Sequence, residues 1–190
     1  MILYMIRHGE SEANRKGIHA GWAQVPLTEK GKAQAEMAGN RLKGIAFDLV
    51  ITSDLCRAVE TCSLALPGCS FEQSSTIREI NVGTLSGKSA DECKLIYGED
   101  YLTNKQRQDY TPYGGENREM LAARVADFLQ SMEIRYDGTI AVFTHEGVLR
   151  TALEQILSAP RLSKRLLCDN CCISVFEYTN GIWRLNAWNI

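Results

Sequence analysis

The sequence predicts an α/β fold, a three-layer αβα sandwich with a mostly parallel central sheet. Short apolar runs alternate with amphipathic segments along the chain, and strands that alternate with helices usually form a parallel sheet covered on both faces. No internal repeat, low-complexity tract or linker interrupts this alternation. A length of 190 residues is typical of one domain, or of one domain with a small appended cap. We therefore expect residues 1–190 to form a single domain.

In the first half of the chain, apolar runs mark the strands and polar residues mark the helix starts. Thr28 is a candidate N-cap for a helix whose apolar residues recur near helical spacing. Ser53 or Asp54 is expected to cap the helix that follows the second strand. The predicted elements are a strand at residues 2–6, a helix at 28–43, a strand at 49–52 and a helix that ends near residue 66.

The second half continues the alternation and ends in a hairpin. The segment Thr179-Asn180-Gly181 is typical of a tight turn between two strands. One long helix is predicted from a shared apolar face, formed by Leu121, Val125, Phe128, Leu129 and Met132. The predicted elements are helices at 89–108 and 116–136, a buried strand at 139–144, a helix containing 148–157, and strands at 173–178 and 182–187.

Three of the predicted strands are followed by residues of complementary chemistry. The first strand leads into Arg7 and His8, the second into a helix that carries Arg57, and the third into His145. If these strands are parallel neighbours, their carboxyl ends meet at one edge of the sheet, where such folds bind ligands. We therefore expect two histidines and two arginines to converge at that edge.

This combination of residues is typical of an anion site. Guanidinium groups bind phosphate oxygens through paired hydrogen bonds and stay charged, and helix N-termini offer free N–H groups. Nearby positive charge disfavours imidazolium, so a histidine in this field is expected to have a lowered pKa. A neutral imidazole is a nucleophile that can attack phosphorus while the arginines hold the phosphoryl oxygens.

Each of these residues, taken singly, has a simpler interpretation. An Arg7-His8 pair after a strand is more often part of a surface loop, and Arg57 is more often a solvated helix residue. His145 is more often a buried histidine with satisfied hydrogen bonds. The combination favours the phosphoryl site, because three separate strand ends carry the same complementary chemistry.

The composition argues against several other classes of protein. A net charge of −2 and a pI of about 6.0 are unlike a nucleic-acid-binding domain, and no apolar run approaches the ~18 residues of a membrane span. Three histidines nearly exclude a multi-histidine metal cage. Seven cysteines without disulfide spacing or a secretory signal predict reduced, mostly buried thiols in a cytoplasmic protein. The cluster Cys168, Cys171 and Cys172 lacks the further ligands of a metal site.

Two short segments match other catalytic motifs only in part. Residues 83–89 end in Gly-Lys-Ser like a phosphate-binding P-loop, but three residues instead of four separate the glycines. His145 and Glu146 begin like a zinc-protease helix, but Leu149 occupies the position of the second histidine. Neither an NTPase nor a zinc protease is predicted.

A series of short motifs resembles the histidine phosphatase superfamily, also called phosphoglycerate-mutase-like. The motifs stand in the family's order and extend over nearly the whole chain, which makes the series specific. They are Arg7-His8-Gly9-Glu10-Ser11 with Asn14, Gly21-Trp22, Pro26-Leu27-Thr28 with Gly31, Ser53 to Ala58 with Glu60-Thr61, Arg78-Glu79-Ile80, Gly115-Glu116-Asn117 and Thr144-His145-Glu146-Gly147.

The resemblance implies a role for each matching residue. His8 would be the nucleophile that becomes phosphohistidine, and Glu79 would first donate a proton to the leaving oxygen and then activate water. Without the resemblance, a surface ion pair of Glu79 with Arg78 or a neighbour is the simpler interpretation. No metal or other cofactor is implied, because arginine and histidine supply the positive charge. The residues implied to hold the phosphoryl group are Arg7, Arg57 and His145, with Asn14 and the backbone near Gly21 completing the pocket.

The chain departs from the family's pattern at a few positions. Glu146 follows the second histidine, where the family usually has glycine. A carboxylate there would favour protonated His145 or narrow the pocket, or it would point to solvent without effect. Ala20 and Gln24 replace residues that are commonly glutamine and aspartate. These changes leave the core chemistry intact but give no ground for carrying over a substrate.

The short chain favours a phosphatase that acts on a small phosphorylated metabolite. Residues 89–114 must form the whole helical cap, as in the small phosphatases that include the alpha-ribazole and broad-specificity groups, whereas the family's cofactor-dependent mutases are longer. One alternative is a phosphoglycerate mutase. Another is a non-catalytic module that binds phosphorylated ligands, although all implied catalytic residues are present. No nucleic-acid or membrane partner is expected, and the sequence does not indicate an oligomeric state.

Overall fold

The computed structural model describes residues 1–190 and has one six-stranded sheet at its centre. The strands are β1 (Ile2–Arg7), β2 (Leu49–Ser53), β3 (Glu72–Ser74), β4 (Thr139–Thr144), β5 (Ile173–Thr179) and β6 (Ile182–Ala187). Their order across the sheet is β3-β2-β4-β1-β5-β6. Neighbouring strands from β3 to β1 are parallel, and β5 runs antiparallel to both β1 and β6. The predicted mostly parallel sheet is confirmed.

Six helices cover both faces of this sheet. They are α1 (Glu12–Lys16), α2 (Glu29–Leu42), α3 (Cys56–Ala65), α4 (Ala90–Arg107), α5 (Arg118–Arg135) and α6 (Glu146–Ile156). Ile140 and Val142 of β4 pack in the apolar cluster that contains residues of α5 and α6. The alternate residues Ala141 and Phe143 pack in the cluster that contains residues of α2 and α3. This alternation, which follows from the two-residue period of a strand, gives the predicted αβα layers.

One predicted helix cap is confirmed and one is wrong. Thr28 caps α2 by accepting a hydrogen bond from the Gly31 amide at 3.0 Å, as predicted. The expected cap of α3 by Ser53 or Asp54 is wrong, because Leu55 occupies the N-cap and provides no side-chain hydrogen bond. Both polar side chains have other partners, which are described with the site below. Helices α4 and α5 begin one and two residues after their predicted starts, and their N-caps are Ser89 and Asn117.

Two short elements were not predicted from the sequence. Helix α1 has five residues and depends on a capping box between Ser11 and Asn14, so it is too short to show a helical period. Strand β3 has three residues, of which none is buried. The predicted terminal hairpin is present, and Asn180 and Gly181 adopt φ values of 53° and 75°, as a tight turn between twisted strands requires.

The segment expected to form the cap is mostly helical and continuous with the core. Helix α4 spans most of it and bends at Gly98, whose φ is 60°. Tyr101, Tyr110 and Tyr113 of this segment belong to the largest apolar cluster. The cap is therefore held by packing against the main body.

All seven cysteines are free thiols, of which five are buried, as predicted.

Crossing a membrane demands a combination of length and apolar character that no helix in the structure has.

Helix α2 approaches the loop after β1 so closely that position 31 has no space for a side chain. A Cβ atom added at Gly31 would lie 2.0 Å from the carbonyl oxygen of Glu10. We expect Gly31→Ala to lower the free energy of unfolding by about 2 kcal/mol, measured by denaturant titration, because two backbone segments must separate. The neighbouring exposed variant Lys32→Ala is the control and should change it by less than about 0.5 kcal/mol. Equal losses in both variants would contradict this account of the packing.

Candidate active site

The carboxyl ends of three adjacent parallel strands bring the predicted histidines and arginines together. Strand β4 lies between β1 and β2, so His8, His145 and the start of α3 meet at one edge of the sheet. The rings of His8 and His145 have centroids 5.2 Å apart. Arg57, in the first turn of α3, has its Nε atom 3.3 Å from Nε2 of His8. The structure thus shows the convergence expected from the strand ends.

A cavity of about 220 Å³ opens at this edge. Its volume is below the range usual for drug-sized ligands and is suited to a small molecule. His145 does not line it, because that side chain is fully buried behind the cavity wall. The predicted site residues that line the cavity are Arg7, His8, Asn14, Gly21, Arg57 and Glu79. Lining residues to which the sequence assigned no role are Ser11, Ile18, His19, Ile80, Val82 and Tyr110.

The hydrogen bonds of His8 fix its tautomer. Nδ1 lies 2.7 Å from the carbonyl oxygen of Gly9, which can only accept, so Nδ1 carries the hydrogen. Nε2 of the neutral ring then has a lone pair, toward which Arg57 Nε donates. The ring is buried and held from both sides. His8 is therefore positioned as a neutral imidazole whose Nε2 atom carries no hydrogen.

Burial and positive charge both keep this imidazole neutral. The pKa of His8 lies well below its usual value, first because of burial and then because of the charges of Arg57 and Arg7. The predicted lowering is confirmed, but burial rather than charge is the larger cause. Burial and the Arg57 charge also hold the pKa of His145 well below its usual value.

His145 is connected to the end of β2. Its Nε2 atom lies 2.8 Å from the Ser53 hydroxyl, which explains why that serine does not cap α3. Nδ1 of His145 is buried and has no hydrogen-bond partner. A buried unpaired nitrogen is costly, and such groups are often found where a ligand supplies the partner.

Arg57 is held by backbone carbonyl groups. Its terminal nitrogens donate to the carbonyl oxygens of Gly21 at 2.9 Å and Ala23 at 3.1 Å. Gly21 has a φ of +49°, and a Cβ atom there would lie 2.6 Å from a methyl carbon of Val82. The predicted backbone contribution of Gly21 therefore includes a direct contact with Arg57.

Arg7 is anchored by a segment that the sequence analysis did not identify. Its guanidinium donates to the carbonyl oxygen of Cys168, and its Nε atom is buried without a partner. Asn170 in the same segment donates to the carbonyl oxygen of His8 at 3.1 Å and lies 3.5 Å from the Asn14 side-chain oxygen. These residues precede β5, and because β5 is antiparallel, its amino end lies at the same edge as the carboxyl end of β1.

Glu79 is fixed at both its backbone and its side chain. Its carboxylate accepts from the amides of Ile80 at 2.9 Å and Gly147 at 3.3 Å. Its carbonyl oxygen accepts from Trp22 at 2.7 Å and Arg124 at 3.0 Å. A Cβ atom at position 147 would lie 2.2 Å from Glu79 Oε1, so a side chain there would displace the Glu79 carboxylate.

The simpler interpretation of Glu79, an ion pair with Arg78, is wrong. Arg78 pairs instead with both carboxylate oxygens of Asp54, and its Nε atom lies 2.6 Å from Oδ1. This pair also explains why Asp54 does not cap α3. The Glu79 carboxylate remains available to the cavity that it lines.

Glu146 narrows the site at its rim. Its Oε2 atom lies 3.0 Å from an Arg7 nitrogen and its Oε1 atom 2.8 Å from Arg150 Nε, and the residue lines the cavity. The sequence left three interpretations of Glu146 open. The structure agrees with a carboxylate that narrows the pocket and not with one that points to solvent without effect. The third interpretation, a carboxylate that favours protonated His145, is opposed by the lowered pKa of His145.

His19, in the loop after α1, and Tyr110, in the cap segment, both line the cavity. His19 Nε2 lies 2.7 Å from the hydroxyl of the buried Tyr101 on α4. Burial, with a smaller effect of Lys105, lowers the pKa of His19. No role is predicted for His19 from the sequence, because no local pattern shows that a loop residue contacts a helix more than eighty positions later.

A sequence model of the histidine phosphatase superfamily (branch 1) matches residues 3–190. A protein from Brucella ovis named 2,3-bisphosphoglycerate-dependent phosphoglycerate mutase is 36% identical to this chain. The aligned region covers 97% of this chain and 92% of the Brucella protein. The expectation that mutases are longer therefore does not separate this chain from proteins of that name.

Solved structures with the same fold carry phosphatase names. The alpha-ribazole phosphatase from Shigella flexneri superposes with a TM-score of 0.93 at 27% identity, covering 100% of this chain and 96% of its own. A mycobacterial glucosyl-3-phosphoglycerate phosphatase gives a TM-score of 0.87 at 23% identity, covering 99% and 98%, which shows the shared fold. With the family match over nearly its whole length, the chain belongs to the histidine phosphatase superfamily, branch 1.

Proposed function

We propose that the chain is a phosphatase that hydrolyses a small phosphorylated metabolite through a phosphohistidine intermediate on His8. The observation that supports this most is the state of His8, whose Nε2 lone pair is fixed by the Gly9 carbonyl on one side and Arg57 on the other. A neutral, oriented imidazole beside permanent positive charge is what attack on phosphorus requires.

The phosphoryl group would be held by charges that belong to the chain itself. Arg7 and Arg57 line the cavity and place two permanent positive charges beside His8. Asn14 lines the same cavity. His145 has an unpaired Nδ1 atom but does not line the cavity, so its expected contact with the phosphoryl group stays a prediction. In this proposal the arginines stabilise the charge that develops on the transferring group.

The reaction would proceed in two displacements. Nε2 of His8 attacks phosphorus, the bond from phosphorus to the ester oxygen breaks, and Glu79 gives a proton to the leaving alcohol. Glu79, now a carboxylate, takes a proton from water, whose oxygen attacks phosphorus and breaks the bond to Nε2. Inorganic phosphate leaves, and His8 and Glu79 return to their starting states.

A phosphoglycerate mutase reaction is the second candidate, favoured by the names of relatives such as that from Brucella ovis. Both reactions share the phosphohistidine half and differ in whether water or a bound alcohol takes the phosphoryl group. The phosphatase is preferred because of the superposition on the alpha-ribazole phosphatase and the two carboxylates in the cavity. Incubation with 3-phosphoglycerate and 2,3-bisphosphoglycerate separates the two reactions. Release of inorganic phosphate would indicate a phosphatase, and formation of 2-phosphoglycerate would indicate a mutase.

Substitution of His8 tests the covalent step. We expect wild-type protein mixed with p-nitrophenyl phosphate and quenched in base to carry an acid-labile phosphoryl group, detected by mass spectrometry. His8→Ala is expected to form no adduct and to lose about 10³-fold or more in kcat, because it removes the imidazole whose Nε2 lies beside Arg57. Thermal unfolding checks that the variant is folded. An adduct of equal yield on His8→Ala would contradict the assignment.

Substitution of Glu79 tests the proton transfer. We expect Glu79→Gln to lower kcat by about 10²- to 10⁴-fold with an alkyl phosphate, whose leaving oxygen needs a proton. With p-nitrophenyl phosphate, whose leaving group needs none, the variant should release one nitrophenol per site in a burst and then turn over slowly. The control Glu99→Gln, at an exposed position of α4, should stay within about twofold of wild type in both assays. Equal losses on both substrates without a burst would oppose the role of Glu79.

The lowered pKa values predict how stability depends on pH. A histidine that is neutral in the folded protein binds a proton when the protein unfolds at low pH. Its contribution to the free energy of unfolding is therefore complete above about pH 6.5 and decreases as the pH falls below that value. For His145→Gln, we expect the slope of the unfolding free energy against pH, between about pH 6 and 5, to be smaller than the wild-type slope by about 1 kcal/mol per pH unit. Denaturant titrations at each pH measure this difference. Identical slopes would mean that folded His145 is protonated.

A further inference from the structure

The cavity contains few positive charges relative to what it must bind. Its lining includes two arginines, Arg7 and Arg57, and no lysine. The acidic lining residues are Glu79, which holds the proton to be donated in the proposed mechanism, and Glu146. A phosphomonoester brings about two negative charges of its own at neutral pH. Both arginines are therefore needed by the phosphoryl group, and no cationic lining residue remains for a second anionic group on the substrate.

The carboxylate of Glu146 is fixed at this wall. It bridges Arg7 and Arg150, and Arg150 in turn donates to the carbonyl oxygens of Ser163 and Leu166. Glu146 is also the first residue of α6, where the helix dipole favours a negative charge. These contacts hold one negative charge beside the phosphoryl site.

Glu146 also occupies the outer side of Arg7. One of the terminal nitrogens of Arg7 is paired with Glu146 at 3.0 Å, and the other donates to the Cys168 carbonyl oxygen. A glycine at position 146 would leave the first of these nitrogens open to an anionic substituent of a substrate. The glutamate therefore removes a partner for such a substituent and adds a repulsive charge in its place.

We propose that Glu146 is a specificity-determining residue that selects phosphomonoesters with an uncharged leaving group and disfavours those whose leaving alcohol carries a carboxylate or a second phosphate. The inference rests on the proposed phosphatase activity. The uncharged part of the wall agrees with it, since Ile18, Ala20, Val82 and Tyr110 offer apolar contacts and a hydroxyl. His19, whose pKa is lowered by burial, adds a neutral ring.

The test uses two substrates that share one carbon skeleton. Glycerol 3-phosphate and 3-phosphoglycerate differ only in a hydroxymethyl group against a carboxylate. We expect the wild type to have a kcat/KM at least about tenfold higher for glycerol 3-phosphate, and Glu146→Gln to reduce this ratio by about fivefold or more, mainly through a lower KM for 3-phosphoglycerate. Because both substrates carry the same phosphoryl group, the ratio isolates the effect on the leaving group.

Two further variants test the charge of the Glu146 side chain and the effect of net charge on the protein. Glu146→Asp keeps the charge on a side chain that is one methylene shorter and lies farther from Arg7, so it should preserve more of the wild-type ratio than Glu146→Gln does. Glu29→Gln removes an equal charge from an exposed ion pair with Lys32 and should leave the ratio unchanged. This control accounts for any effect of net charge alone.

The possible failures are distinguishable. If Glu146→Gln lowers kcat/KM for both substrates by the same factor, the residue only positions Arg7 and the inference is overturned. A wild type that prefers 3-phosphoglycerate overturns it too, while leaving the phosphatase activity in place. Release of phosphate from neither substrate, nor from p-nitrophenyl phosphate, overturns the proposed function and the inference with it.

Discussion

The site depends on one arrangement, the burial of the His8 ring between the Gly9 carbonyl and Arg57. The carbonyl selects the tautomer, the guanidinium lies against the opposite nitrogen, and burial makes the charged form costly. The same permanent cations that would bind a phosphoryl group thus also help burial to keep the His8 ring neutral. An isolated imidazole in water has neither a fixed tautomer nor a lowered pKa, so both properties of His8 are consequences of the fold.

The arrangement in turn depends on the register of the parallel strands. Arg7 pairs with Thr144 across β1 and β4, so His8 and His145 follow at matching positions, and the His8 amide donates to the Thr144 carbonyl at 2.9 Å. On the other side of β4, Phe143 pairs with Thr52 next to Ser53. A shift of one residue would turn the alternating side chains to the opposite face of the sheet. In β4 such a shift would exchange the side chains that pack in the two apolar clusters on opposite faces of the sheet.

The sequence predicted the parts of this site that follow from local pattern. Apolar runs located the strands, and the residues after them located His8, Arg57 and His145, since parallel strands end at a common edge. It did not predict the contacts of Arg7 with Cys168 or of His19 with Tyr101, because each joins segments far apart in the chain and depends on side-chain geometry. The predicted N-cap of α3 was wrong for a similar reason, because the side chains of Ser53 and Asp54 form hydrogen bonds with the distant His145 and Arg78.

Under the proposed function, the choice between hydrolysis and transfer would be made at the rim of the cavity rather than at His8. In the proposed mechanism the first displacement is the same for both outcomes, and the second depends on which acceptor stands near the phosphohistidine. An alcohol that carries a carboxylate stays only if a cation holds it, and Glu146 already occupies the outer nitrogen of Arg7. A leaving group without such a partner departs, and water takes its place. One glutamate on the first turn of α6 can therefore direct a shared intermediate towards hydrolysis.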